Sequence, residues 1–405
     1  MFSETYFNRL GSHPNARVAR PVGGRTRSLG DGMLVGVVLL LSAIGLVMVY
    51  SASGVRAFRD YQDTAYFLKK QVAWMLIGWL LFALTTRIDP RHLREKTPQM
   101  AAAIFLLLML VTMAGPEING AHRWLRVGPA QFQPSELAKL FIVLYLSHYM
   151  TRREAAVVPG RTTNLDVGVV KMLPPFVIVG GMAGLTLAGR DLGSAMMMLA
   201  LAGILLLLGG ARPIRLLAVL GAVVPLLAYW VVKTPYRLAR LTGYLNPWEN
   251  RQTSGHQLIQ SYLALGSGGG AGVGLGEGRQ KLFFLPEAHT DFIFSVVGEE
   301  FGLLGTGMVI GLYAAFLFLG ARIAIAQPNP FERMLAFGIT LMITLSALAN
   351  MAVVTGLVPT KGLPLPFMSY GGSSLVTNFL AAGMLYRLSI GVPERRGSER
   401  PGMKR

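Results

Sequence analysis

The sequence predicts an all-α polytopic membrane protein of about ten transmembrane helices, with one large extracytoplasmic loop between helices 7 and 8. Three observations carry that expectation. Apolar residues make up 52% of the 405 residues, charged residues only 14%, and mean hydropathy is +0.48, more apolar surface than a soluble core can hide. The apolar residues gather into uncharged runs of about 20, the length that crosses hydrocarbon as a helix. Lys and Arg fall in the short connections between those runs, where they act as topology signals. Backbone groups in lipid need internal partners, and the runs lack the alternation of a β-barrel, so the spans are helices.

Taken in order, residues 1–32 are polar and basic, with Arg9, Arg17, Arg20, Arg25 and Arg27, and read as a cytoplasmic N-terminal segment. The run 33–53 is too long for the apolar core of a cleavable signal and reads as an uncleaved anchor. Spans follow at 70–86, 99–115, 135–150, 172–188, 192–210 and 214–233, the fourth short and reliant on polar flanks. Residues 234–290 form the large outer loop, far longer than an ordinary connection. Within it Leu258, Ile259, Tyr262, Leu263 and Leu265 recur at near-helical spacing, which predicts a short amphipathic helix on the outer membrane face. The last spans are 291–321, 334–357 and 371–390, which closes a transmembrane domain at 33–390. Residues 391–405, rich in Arg, Gly and Pro, read as a disordered cytoplasmic tail. No internal repeat is visible.

Net charge is +18, yet the basic residues are scattered through short loops and make no nucleic-acid face. With both termini in the cytoplasm, about 23 of the 38 Lys and Arg residues face inward and about 14 outward. The outward set, which includes Arg123, Arg190, Arg240 and Lys361, is large enough to suggest an anionic ligand. The absence of cysteine excludes disulfides, thiolate catalysis and thiolate metal sites, and no zinc spacing such as H-E-x-x-H is present.

The chemistry concentrates at a few junctions. In Leu285-Pro286-Glu287-Ala288-His289-Thr290-Asp291-Phe292 a lone carboxylate stands where a polar loop meets a span. Asp291 is either a helix cap, which would lower its pKa, or a base that takes a proton at the membrane mouth. Glu299 and Glu300 lie about 12–14 Å deeper along the same helix, off the face of Asp291, and read as structural partners. Glu136 and Lys139, three apart at the start of the fourth span, neutralise one another either as a structural ion pair or as part of a cavity lining. The loop from Val358 to Ser374 is stiffened by Pro359, Pro364 and Pro366, and its free N–H groups with Lys361 suit an anion as well as an ordinary turn. The eight glycines between Gly266 and Gly278 lack the strand, helix and Gly-Lys-Ser/Thr context of a nucleotide loop, and read as a mobile or close-packed segment.

Four motifs together resemble the SEDS family (shape, elongation, division and sporulation) of bacterial membrane glycosyltransferases. They are Asn119-Gly120-Ala121 with Arg123-Trp124, Phe132-Gln133-Pro134-Ser135-Glu136, Pro286-Glu287-Ala288-His289-Thr290-Asp291-Phe292 and Ser369-Tyr370-Gly371-Gly372-Ser373. Gln280-Lys281-Leu282 and Pro359-Thr360-Lys361-Gly362-Leu363 are more similar to the division branch than to the elongation branch. The resemblance implies polymerisation of lipid II, with Asp291 as catalytic base and Arg123, Glu136, Lys139, Lys361 and Ser369 around an outward substrate cavity. It also implies an undecaprenyl-pyrophosphate-linked glycan donor and a class B penicillin-binding protein partner among other division proteins. Placement follows as a bacterial inner membrane and its septum, with no cofactor beyond a candidate Mg²⁺ or other divalent ion. Where the family commonly has Gln-Pro before Asp-Leu-Gly, this chain has Gly189-Arg190, which weakens any direct role for Asp191 and offers Arg190 as a phosphate contact. A lipid II flippase and a non-catalytic division scaffold stay open as alternatives.

Overall fold

The computed structural model describes residues 29–118, 120–128, 130–154, 169–233, 235–282 and 284–390. The predicted tail 391–405, nearly all of the N-terminal segment and Asn119 of the first motif lie outside the described residues. Among the described residues the regular structure is helical apart from one small hairpin. Helices α1 (Leu29–Tyr61), α2 (Tyr66–Thr85), α3 (Pro90–Glu95) and α4 (Thr97–Ala114) lead to strands β1 (Leu125–Val127) and β2 (Ala130–Phe132), which pair antiparallel. Then come α5 (Pro134–Glu154), α6 (Val169–Ala188), α7 (Leu192–Leu208) and α8 (Pro213–Val232). The long loop holds α9 (Pro235–Leu245) and α10 (His256–Gly268), and the chain closes with α11 (Ile293–Ala326), α12 (Pro330–Val354) and α13 (Gly372–Ile390).

Among the described residues five helices are long and apolar enough to cross a membrane: α1 from Gly32, α2, α4, α11 and α12. Their outward faces carry exposed Leu76, Leu80, Met113, Leu304 and Phe318, the pattern of a surface that meets lipid. Helix α5 is different because it runs through the middle. Ala138, Leu140, Phe141, Ile142, Val143 and Leu144 cover it on all sides and are buried, and it packs against α4, α7, α12 and α13. Its polar residues face protein, with the Ser147 and Thr151 hydroxyls donating to Val143 O and Ser147 O. That interior polarity is why this span looked short in the sequence.

Helix α1 runs eight residues past its predicted end, because nothing breaks it before Gln62, which leaves the helical conformation at φ 56°. The predicted amphipathic helix exists as α10, and part of its apolar face packs on protein while Leu263 stays exposed. Leu258, Ile259 and Ala264 are buried against α11 and α12, and the Ser261 hydroxyl bridges Ser295 Oγ and Val354 O. Helices α3 and α9 and the hairpin had no counterpart in the expected spans.

The glycine-rich segment is close-packed. Helix α11 breaks at Gly302 (φ 62°, ψ −154°), which frees backbone groups inside the bundle. The segment after α10 fills the break. Val273 N and Gly274 N donate to Glu299 O and Glu300 O, each at 3.0 Å, while Leu303 N and Leu304 N donate to Gly269 O and Gly270 O. Side chains complete the plug, since Glu299 accepts from Arg279 N and Gln280 N at 2.6 and 3.1 Å. Lys281 Nζ lies 2.6 Å from Glu300 Oε1, and both side chains are almost fully buried. The two glutamates therefore have the structural partners expected of them. A Cβ at Gly272 (φ +85°) would sit 2.2 Å from Glu300 O, so the close approach requires glycine there. Gly272→Ala is expected to destabilise the fold by about 2 kcal/mol or more, measured as a lower melting midpoint with faster proteolysis of the 269–281 loop.

Candidate active site

The plug leads directly to the turn that carries Asp291. Leu285 N donates to Gln280 O at 2.8 Å, and the chain then coils through Glu287, whose φ of 55° reverses it toward α11. Helix α11 starts at Ile293 with Phe292 in the capping position, so Asp291 is not the cap and its side chain is not spent on helix N–H groups.

Three contacts sew this turn to the proline-stiffened loop before α13. Tyr370 N donates to His289 O at 2.9 Å, the Ser369 hydroxyl donates to Thr290 O, and Asn350 Nδ2 donates to Asp291 O at 2.7 Å. Asn350, from α12 and 1% exposed, also donates to Leu363 O at 2.6 Å, so one carboxamide fixes the acid's backbone to the facing loop. Gly362 permits the approach, since a Cβ there would lie 2.8 Å from Asp291 Oδ2. His289 is buried between the rings of Phe67 and Tyr370, and burial holds its pKa down at about 4, so it serves as a neutral packing group.

Asp291 faces a cavity of about 1250 Å³. Arg123, Arg190, Arg240 and Lys361 line it as cations, and Asp191, Glu287 and Asp291 as acids. Each cation comes from a separate element: the loop before β1, the α6–α7 turn, α9, and the loop after α12. Arg123 donates to Arg190 O, Arg240 Nη1 to Thr360 O at 3.3 Å, and Lys361 reaches Met196 of α7. Asp191 is occupied as the cap of α7: it accepts from Ser194 N at 3.1 Å, Gln133 Nε2 at 2.9 Å and Ser135 Oγ at 3.1 Å.

Of the residues singled out by sequence, Arg123, Lys361 and Asp291 come together on the cavity. Glu136 and Lys139 do not line it; they form a buried ion pair at 2.8 Å inside α5. Ser369 does not line it either, because its hydroxyl is turned into the loop, donating to Thr290 O and accepting from Leu365 N at 2.8 Å. Sequence reasoning missed Asn350. The signal was present as a lone carboxamide in the apolar run Ser346 to Val354, where an unpartnered polar group is costly. Among the described residues no group of three or more His, Asp or Glu could hold a metal ion.

Burial, aided by the Glu287 charge and opposed by Arg240 and Arg123, pushes the Asp291 carboxyl up to about 7. That is the reverse of the depression a cap would give, and it follows from the acid standing just outside the span without helix N–H partners. Burial likewise brings the Lys361 ammonium down to about 8. The result is a base poised near neutral pH beside cations whose charge an anion would stabilise.

The chain from residue 31 to 392 matches the model of the FtsW, RodA and SpoVE family, described as cell cycle protein. A Geobacter sulfurreducens protein named "Probable peptidoglycan glycosyltransferase FtsW" is 42% identical over 361 residues, which is 89% of this chain and 95% of that protein. A Legionella pneumophila protein of the same name is 38% identical over 384 residues, 93% of this chain and 94% of that one. Among solved structures, a chain from "Structural coordination of polymerization and crosslinking by a peptidoglycan synthase complex" superposes with a TM-score of 0.72 at 29% identity, covering 89% of this chain and 97% of that chain. The rod shape determining protein RodA of Thermus thermophilus gives 0.64 at 29% identity over 88% and 95% of the two chains.

The raised Asp291 pKa has a consequence for stability. Between about pH 4 and pH 7 the folded chain keeps a proton that the unfolded chain gives up, so folding weakens as pH rises through that window. The melting midpoint of Asp291→Asn relative to the original chain is therefore expected to rise from pH 5 to pH 8 by about 2 °C or more, followed by differential scanning in detergent.

Proposed function

We propose that this chain, which belongs to the FtsW/RodA/SpoVE family, is a peptidoglycan glycosyltransferase that polymerises lipid II with Asp291 as its general base. The observation that carries the reading is the Asp291 carboxyl at a pKa of about 7 on a cavity lined by four cations. The acceptor sugar's 4-hydroxyl gives its proton to Asp291 as its oxygen bonds to the anomeric carbon of the donor. The bond from that carbon to the diphosphate oxygen breaks, the configuration inverts, and undecaprenyl pyrophosphate leaves with the electron pair. Negative charge grows on the leaving group, where preorganised cations lower the barrier most. Arg123 and Lys361 meet that charge. Lys361 is half-buried, with its charge weakened by desolvation, and an arriving diphosphate restores it. The activated donor supplies the energy, which fits the absence of a nucleotide motif. The described residues do not make a metal cage of their own.

The protein is a multi-pass membrane protein. Its finer layout is ten spans within 33–390, both termini in the cytoplasm, and the 234–290 segment on the outer face at the division septum. A bitopic class B penicillin-binding protein is the expected partner, supported by the likeness to a chain of a complex that coordinates polymerisation with crosslinking. Glu136, Lys139, Glu299 and Glu300 have the roles of structural cement. Each is closed on protein partners rather than strung along a polar path, which disfavours a flippase.

Reconstitution with such a partner and lipid II tests the mechanism. Asp291→Asn is expected to fold but to lose roughly 10²–10⁴-fold of turnover, leaving glycan ladders absent; normal ladders from it would end the assignment. Lys361→Arg is expected to remove an alkaline fall in kcat/KM near pH 8, because arginine stays charged there. An alkaline limb that persists in this variant would take Lys361 out of the leaving-group site.

A further inference from the structure

We infer that Arg190 and Arg123 form a paired guanidinium clamp for one phosphate of the lipid-linked diphosphate. The inference rests on the polymerase reading above and adds Arg190 as a binding residue. Its starting point is a backbone anomaly. Helix α6 ends in a Schellman turn, with Asp191 N donating to Thr186 O at 3.1 Å and Arg190 N to Leu187 O at 3.0 Å. The residue at the turn's left-handed position is normally glycine, because a β-carbon is strained there. Here it is Arg190, at φ 64°. An arginine held where glycine is easier marks a side chain in use.

Its surroundings show what the use is. Through its backbone, the left-handed turn aims Arg190 O at the Arg123 guanidinium, which donates to it. Through its side chain, Nη1 donates to Gly120 O at 2.6 Å. Both guanidiniums thereby line the cavity that Asp291 faces, each held by a backbone carbonyl. Arg123 Nε is buried and has no hydrogen-bond partner. The acid beside Arg190, Glu117, is 3.8 Å from Nη1 and its side chain is 58% exposed, so water screens it. Two like charges on the lining of one cavity, with Arg123 Nε unspent, are stabilised by an anion, and the planar fork of arginine matches two oxygens of a phosphate. Lys361, on the same cavity, offers a further cation for the second phosphate of a diphosphate.

Glycine at 190 separates the two roles, because it keeps the left-handed turn and the carbonyl that holds Arg123 while deleting the guanidinium. The full chain in lipid nanodiscs is titrated with undecaprenyl pyrophosphate and, separately, with inorganic pyrophosphate, for the original chain, Arg190→Gly and Arg190→Lys. Arg190→Gly is expected to raise both dissociation constants about 10-fold with no loss in melting midpoint, and Arg190→Lys to raise them less. Unchanged constants overturn the clamp, as does weaker binding accompanied by a lower midpoint. Weakening of the lipid form alone also overturns it, since the site would then read the chain and not the phosphate. Repeating the titration in Asp291→Asn keeps the two claims apart, because binding there is independent of whether Asp291 is the base.

Discussion

A helix interrupted within a membrane-spanning bundle must find new partners for the backbone groups it exposes, and the break of α11 at Gly302 is the constraint on which the site depends. The carbonyls of Glu299 and Glu300 and the N–H groups of Leu303 and Leu304 are all satisfied by one glycine-rich segment. Because that segment lies against the helix backbone, its closest approach, at Gly272, has no room for a β-carbon. Because it is pinned at both ends, the turn that follows begins from a fixed point. Lys281 and Glu300 close the plug against Ser51 of α1, which ties the long loop to the first helix as well. Asp291 stands ten residues beyond Lys281 and two before α11 begins at Ile293.

The second half of the support comes from the loop after α12, and the two halves meet at the acid. Hydrogen bonds through Asn350, Ser369 and Tyr370 hold the 289–291 backbone against it, and Gly362 lets it close to within contact of the carboxylate. Two opposing influences act on Asp291 there. Arg240 and Arg123 favour its ionised form, while burial and Glu287 disfavour it, and burial prevails. A carboxylate in water would be ionised at neutral pH but a poor proton acceptor; this one is close to balance. Desolvation thus raises the Asp291 carboxyl and lowers the Lys361 ammonium.

Much of this was readable from residue order. The alternation of apolar runs with basic loops gave the helical membrane fold, and a carboxylate at a loop–span junction marked the acid. Other features depended on contacts that periodicity does not encode. Amphipathicity in α10 is the same whether its apolar face meets lipid or protein, and Ser261 bonding across to Ser295 and Val354 decides the matter only in three dimensions. The direction of the Asp291 shift hinged on whether the helix starts at 291 or 293, a difference of two residues that reverses the environment of the carboxyl. Glu136 and Lys139 had the spacing of a pair, which says nothing of whether a cavity lies beside them. Arg190 was visible as a departure from the family pattern, but its left-handed backbone was not.

The central claim is that burial places the pKa of Asp291 near the working pH so that it can accept a sugar hydroxyl's proton. The most direct measurement is kcat/KM for lipid II polymerisation as a function of pH in the reconstituted complex, at constant ionic strength. The account predicts a two-limbed profile whose acid limb rises through one protonation step near 7, before the alkaline fall near 8. A rise centred near 4, the range of an ordinary solvated carboxylate, or no acid limb at all would contradict it.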